Sequence, residues 1–109
     1  MKNINSNFLK NQNEFNDVYC LETAYKLAQF HALCFTNYEK QYSEKSMLFF
    51  LENPLYHIFY TGIRLAILHI IGKEAELITL AIDPKHRKNG LGSDTLKIVF
   101  QYLKVSRIS

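Results

Sequence analysis

Residues 76–92 read ELITLAIDPKHRKNGLG. The β-formers from Glu76 to Ile82 predict a strand, and Asp83-Pro84 stops it. Lys85, Arg87 and Lys88 follow, and then Gly90 and Gly92, one residue apart. Beyond Gly92 the apolar residues Leu96, Val99, Phe100 and Leu103 recur at helical spacing and are expected to share one face. A strand that enters glycines and leaves as a helix suits a phosphate. The first N–H groups of a helix have no partner within it, and the helix dipole makes that end positive. Glycines let an anion reach the backbone with no Cβ in the way.

Upstream of this turn the sequence reads as strands. LYHIFY (55–60) and IRLAILHII (63–71) are rich in β-formers. Thr61-Gly62 and GKEA (72–75) are short turns, so the three strands predict an antiparallel meander. Before Asn53-Pro54 the period is helical. Ser43 can cap a helix whose apolar face is Met47, Leu48, Phe50 and Leu51, and Glu44 suits its positive first turn. A further helix is expected from about Thr23 to Phe35, on the spacing of Ala24, Leu27, Ala28 and Cys34. TNYEKQY (36–42) is a polar break. Residues 1–17 are polar and asparagine-rich, a segment that frays or holds one edge strand, and residues 18–109 form the domain. The fold class is α+β: two helices, a three- or four-stranded antiparallel sheet, then the glycine-loop helix.

Composition narrows the function. At 109 residues and 48% hydrophobic, the chain is one domain able to bury a core. A net charge of +3 suits an anionic ligand and is too mild for a nucleic-acid surface. Cys20 and Cys34 form no CxxC pair and no metal spacing with the histidines, so they read as reduced thiols of a cytoplasmic protein and no metal is expected. MKNINSNFLKNQNEFND (1–17) lacks the apolar stretch of a signal peptide. Ile63–Ile71 carries Arg64 and His69 and is too short to span a bilayer, so no membrane partner is expected. His31, His57 and His69 read as structural, and no serine sits on a nucleophile elbow.

Two phosphate motifs fail at the turn. A P-loop needs Gly-Lys-Ser/Thr, and here Gly92 precedes Ser93-Asp94. A dinucleotide fingerprint needs a third glycine in a parallel βαβ unit, and position 95 is threonine. What the residues match is Arg-x-x-Gly-x-Gly, Arg87-Lys88-Asn89-Gly90-Leu91-Gly92, after LAIDPKH and before Leu96. This resembles the acetyl-CoA-binding motif of the GNAT superfamily of N-acetyltransferases, over about Thr23 to Leu103. The resemblance implies that Leu80, Ala81 and Ile82 pair through their backbone with the pantetheine arm. It implies that the loop Arg87, Lys88, Asn89, Gly90, Leu91, Gly92 and Ser93 wraps the pyrophosphate. Asp94 departs from the pattern by adding a negative charge there.

HALCF (31–35) followed by YSEKSM (42–47) is similar to the bacterial ribosomal-protein alanine N-acetyltransferases, with Tyr42 where tryptophan would stand. That likeness implies a peptide or protein N-terminus as acceptor, framed by the two helices and their loop. Phe35, Tyr38 and Tyr42 could equally be core cover. Glu76 lies where some members carry a catalytic glutamate. Strand alternation would point Glu76, Ile78, Leu80 and Ile82 one way; the plain alternative is an exposed glutamate beside a turn. The family continues past the glycine-loop helix with another strand, a helix and a closing hairpin, whereas this sequence stops at FQYLKVSRIS. A C-terminally truncated domain is therefore expected, marginally stable or self-associating and of little activity. The alternative to an N-acetyltransferase is an inactive acetyl-CoA-binding remnant.

Overall fold

A computed structural model describes residues 17–35 and 42–105. Helix α1 spans Asp17–Cys34 and α2 spans Glu44–Glu52. Strands β1 (Tyr56–Tyr60), β2 (Arg64–Ile71) and β3 (Glu74–Ile82) follow. A short 3₁₀ turn, Pro84–His86, leads to α3, Leu91–Val105. The order is the expected α+β order. The polar segment before Asp17, with its possible edge strand, and most of the break at 36–41, Tyr38 included, lie outside the described residues.

Helix α1 starts earlier than the Thr23 that apolar spacing predicts. Leu21 and Glu22 are exposed, and the apolar stripe that begins at Ala24 therefore does not mark where the helix starts. Ala24, Leu27, Phe30, His31 and Cys34 make that stripe. Helix α2 begins as its sequence requires. The Ser46 N–H donates to Ser43 Oγ at 3.1 Å, and the side chains of Met47, Phe50 and Leu51 are buried.

The strands form one antiparallel sheet in the order β1-β2-β3. Helices α1 and α2 cover one face over Ile58, Leu65, Ile67 and Ala81. Helix α3 covers the other over Phe59, Ala66, Leu68 and Ile70. The sheet is thus the middle of three layers, and that is why β2 reads as a nearly unbroken apolar run.

A bulge in β3 corrects one expectation. Ile67 pairs with Thr79, but Leu68 pairs with Leu77, which leaves Ile78 as an extra residue. Residues directly opposite on paired strands share a face. Glu76, opposite His69, and Ile78, packed on the α1–α2 cluster, therefore face α1 and α2. Leu80, opposite Ala66 and packed with α3, faces the other way. The single face expected for Glu76, Ile78, Leu80 and Ile82 is split, because the inserted residue inverts the alternation between Ile78 and Leu80.

Helix α3 corrects a second. Its buried stripe is Thr95, Val99 and Tyr102, with Leu96, Ile98 and Leu103 partly covered, while Phe100 is 58% exposed. Thr95 belongs to the stripe because its hydroxyl donates to Leu91 O at 2.6 Å, so burial leaves no donor unpaired. Tyr102 reaches across to β1, where its hydroxyl meets His57 Nδ1 at 2.5 Å.

Candidate functional site

The site begins where β3 ends. The Asp83 N–H donates to Ile63 O, which continues the sheet by one bond. Its carboxylate accepts from the Lys85 N–H at 2.8 Å and its carbonyl from the His86 N–H at 2.8 Å. Asp83-Pro84 thus turns the chain sharply out of the sheet. Lys88 and Gly90 then hold φ of 70° and 77°. The left-handed value suits Gly90 but costs Lys88 about 1 kcal/mol. The first helical bond of α3 runs from the Asp94 N–H to Gly90 O at 3.0 Å. The N–H groups of Leu91, Gly92 and Ser93 precede that ladder and sit at the positive end of the helix.

These features border a cleft of about 400 Å³ between the end of β3, the end of α1 and the glycine turn. Of the residues implied by the motif, Leu80, Ile82, Arg87, Lys88, Gly90, Leu91 and Gly92 line it. Ala81 does not; its side chain is 1% exposed, in the α1–α2 core. Asn89 and Ser93 are exposed beside the turn. Cys34, Phe35 and His86 complete the wall. Cys34 and Phe35 come from a distant element, and no local sequence signal ties them to the turn. His86 carries a buried Nδ1 without a hydrogen-bond partner among the described residues.

Arg87 has a structural task. Its Nε donates to Ile82 O at 3.1 Å and its Nη2 to Cys34 O at 2.6 Å. It fastens the last carbonyl of α1 to the end of β3, where a cation also complements the helix dipole. The Cys34 thiol next to it is pushed up chiefly by burial, and Arg87 only partly offsets this. Burial thus favours the thiol of Cys34 over its thiolate.

Asp94, which the sequence makes an unwelcome charge, is paired. Arg64, the first residue of β2, donates to Asp94 Oδ2 at 2.6 Å and approaches Thr95 Oγ1 at 3.4 Å. Its guanidinium carbon also lies 5.6 Å from the Phe59 ring centroid. The one hint of this role in the sequence is an arginine opening an apolar strand.

Glu76 stands apart. It is exposed, in a separate hollow of about 440 Å³ with His69, Ile71 and Glu74. It lies four positions before Leu80, about 13 Å along the strand. His31 is structural: it is 1% exposed, its Nδ1 accepts from the Tyr42 N–H at 3.4 Å, and its Nε2 meets Thr79 Oγ1 at 3.1 Å. Since Nδ1 accepts, the proton is assigned to Nε2. Phe35 and Tyr42 pack around that imidazole, at ring centroids 4.4 and 5.1 Å away. No helix among the described residues is long and apolar enough to cross a membrane.

No family model matches the sequence, and no curated protein sequence matches it either. The architecture does match a solved structure. The ribosomal-protein-S18-alanine N-acetyltransferase from Escherichia coli superposes with a TM-score of 0.61 over 87% of this chain, at 21% identity. The match covers 59% of that enzyme's chain. The protein thus has a partial N-acetyltransferase fold of the GNAT type, as its sequence suggests.

Proposed function

We propose that the chain binds acetyl-CoA in the cleft between β3 and α3 as an N-acetyltransferase. The proposed acceptor is the N-terminal amine of a protein, such as the alanine of a ribosomal protein. The observation that carries the cofactor reading is Gly92. Its φ is not in the left-handed region, and a Cβ built on it meets nothing within 4 Å. Neither conformation nor packing asks for glycine there, and alanine is the better helix former. A bare backbone beside unpaired N–H groups in a cationic turn is suited to a phosphate arriving from outside.

In this reading the N–H groups from Lys88 to Ser93 hold the pyrophosphate, with Asn89 and Ser93 acting through their backbone. Lys88 adds charge, and Arg87 keeps the walls of the cleft together. Leu80 and Ile82 turn main-chain groups to the outer edge of β3, which pairs with no strand among the described residues, although Ile82 O already accepts from Arg87. The groups of Ala81, opposite Leu65, point inward to β2, so Ala81 lies behind the proposed pantetheine path. Bound acetyl-CoA supplies a thioester carbonyl. The amine forms the new C–N bond as the C–S bond breaks, and the leaving sulfur takes up a proton. An α-amino group with an ordinary pKa near 7.7–8.0 is partly neutral at physiological pH, so a water relay suffices as base. Glu76 is the side chain we assign to that relay. Its position on the α1–α2 face makes the transfer indirect.

A second reading is binding without turnover. It is favoured by the cleft wall, which has no carboxylate among its described residues. An assay of labelled acetyl transfer to an alanine-initiated peptide separates the two, run beside calorimetric titration with CoA. Transfer that Glu76→Gln slows by tenfold or more supports the enzyme with Glu76 in its relay. Saturable binding without transfer supports the second reading. A folded protein that binds no CoA overturns both. We place the protein in the cytoplasm, where thiols stay reduced.

A further inference from the structure

The glycine turn contains a contradiction that Arg64 resolves. Asp94 stands in the first turn of α3, among the N–H groups that would receive phosphate. A carboxylate there stabilises the free helix end, and it also repels a second anion at the same place. Arg64 reaches from the neighbouring strand to hold it. The contact is 2.6 Å, the arginine side chain is 16% exposed and the aspartate 56%. The same nitrogen approaches Thr95 Oγ1, whose hydrogen bond to Leu91 O closes the first turn. Phe59 lies against the guanidinium and limits its freedom.

Resting on the acetyl-CoA reading above, we propose that Arg64 is a positioning residue for the glycine turn. It neutralises Asp94 and fixes the first turn of α3, so that the N–H groups of Leu91, Gly92 and Ser93 present an uncontested positive end to the cofactor's phosphates. Asp94 is then a built-in regulator of affinity. With Arg64 it is silent; without Arg64 it competes with the ligand. Arg64 itself need not touch the cofactor.

The test is a charge cycle on the full chain, with CoA, inorganic pyrophosphate and pantetheine as probes and calorimetry as readout. Arg64→Met is expected to weaken CoA and pyrophosphate by roughly three- to tenfold at low salt, the scale of one uncompensated charge near the ligand. Pantetheine, which has no phosphate, is expected to bind unchanged. Asp94→Asn is expected to bind CoA as tightly as the parent or more tightly. The double variant Arg64→Met/Asp94→Asn is expected to return to within about twofold of the parent, because no charge is left unpaired. A purely structural role predicts another pattern: both single changes weaken binding, and the double change is weakest. That pattern overturns the inference. If Arg64→Met does not fold, Asp94→Asn alone decides, and weaker CoA binding by this variant also overturns it. A parent protein that binds neither CoA nor pyrophosphate removes the cofactor reading and this inference together. A parent that binds while all the variants bind alike removes the inference alone.

Discussion

Gly92 and Lys88 carry the same conflict between folding and binding, one as a glycine where alanine would fit and the other as a side chain where glycine would. Gly92 lies where alanine would suit the helix and meet no neighbour. Gly92→Ala is expected to raise stability by a few tenths to about 1 kcal/mol in urea denaturation while weakening CoA binding. A variant that gains stability and binds as before would mean that the bare backbone serves no ligand. Lys88 holds φ 70°, which glycine adopts without strain. Lys88→Gly should therefore also stabilise, by about 1 kcal/mol, and lose affinity through its missing charge. His31 gives a pH dependence. Burial disfavours its imidazolium, so its folded pKa lies below the ordinary 6.5. The unfolded chain then takes up the proton first as pH falls. Stability from this group is complete above about pH 6.5 and declines below it, by at most about 1.4 kcal/mol per pH unit, until the folded pKa is reached. His31→Gln, which can keep both hydrogen bonds, should flatten the difference between denaturation at pH 7.5 and 5.5. An unchanged pH slope would assign the effect elsewhere.

At the scale of elements, local chemistry was legible and facing was less so. Ser43, Asn53-Pro54, Thr61-Gly62 and Asp83-Pro84 mark their boundaries because caps and turns depend on a few adjacent residues. The meander follows from the same short turns. The bulge at Ile78 has no local mark, since an extra residue is visible only against the partner strand. The buried stripe of α3 was displaced because Thr95 reads as polar until its bond to Leu91 O is seen. The Arg87 link from β3 to α1 was likewise invisible, because the motif implies a phosphate-loop residue and only the fold brings Cys34 O within reach. Arg87→Met should cost about 1–2 kcal/mol of stability, discounted for its exposure, and open the cleft wall. Arg87→Lys should keep the charge but not both contacts, and fall between the two. Equal stability of all three proteins would make the contact incidental.

At the scale of the molecule, the sheet is held between two helical layers, and the cleft lies where β3, α1 and α3 meet. The core of that arrangement includes Leu65, which is fully buried between β2 and the α1–α2 layer. Leu65→Ala should cost about 2–5 kcal/mol, enough to threaten a domain of this size. Cooperative unfolding at the parent's midpoint would argue against that packing. The central claim is that the glycine turn and the end of β3 receive CoA. It is tested most directly by amide chemical shifts recorded through a titration of the ¹⁵N-labelled protein with CoA. The account predicts saturable shifts concentrated at residues 80–82 and 87–93, with the amides of Glu74 to Leu77 nearly still. No shifts at millimolar CoA, or shifts centred on the outer face of α1 around Tyr25 and Leu33, would contradict it.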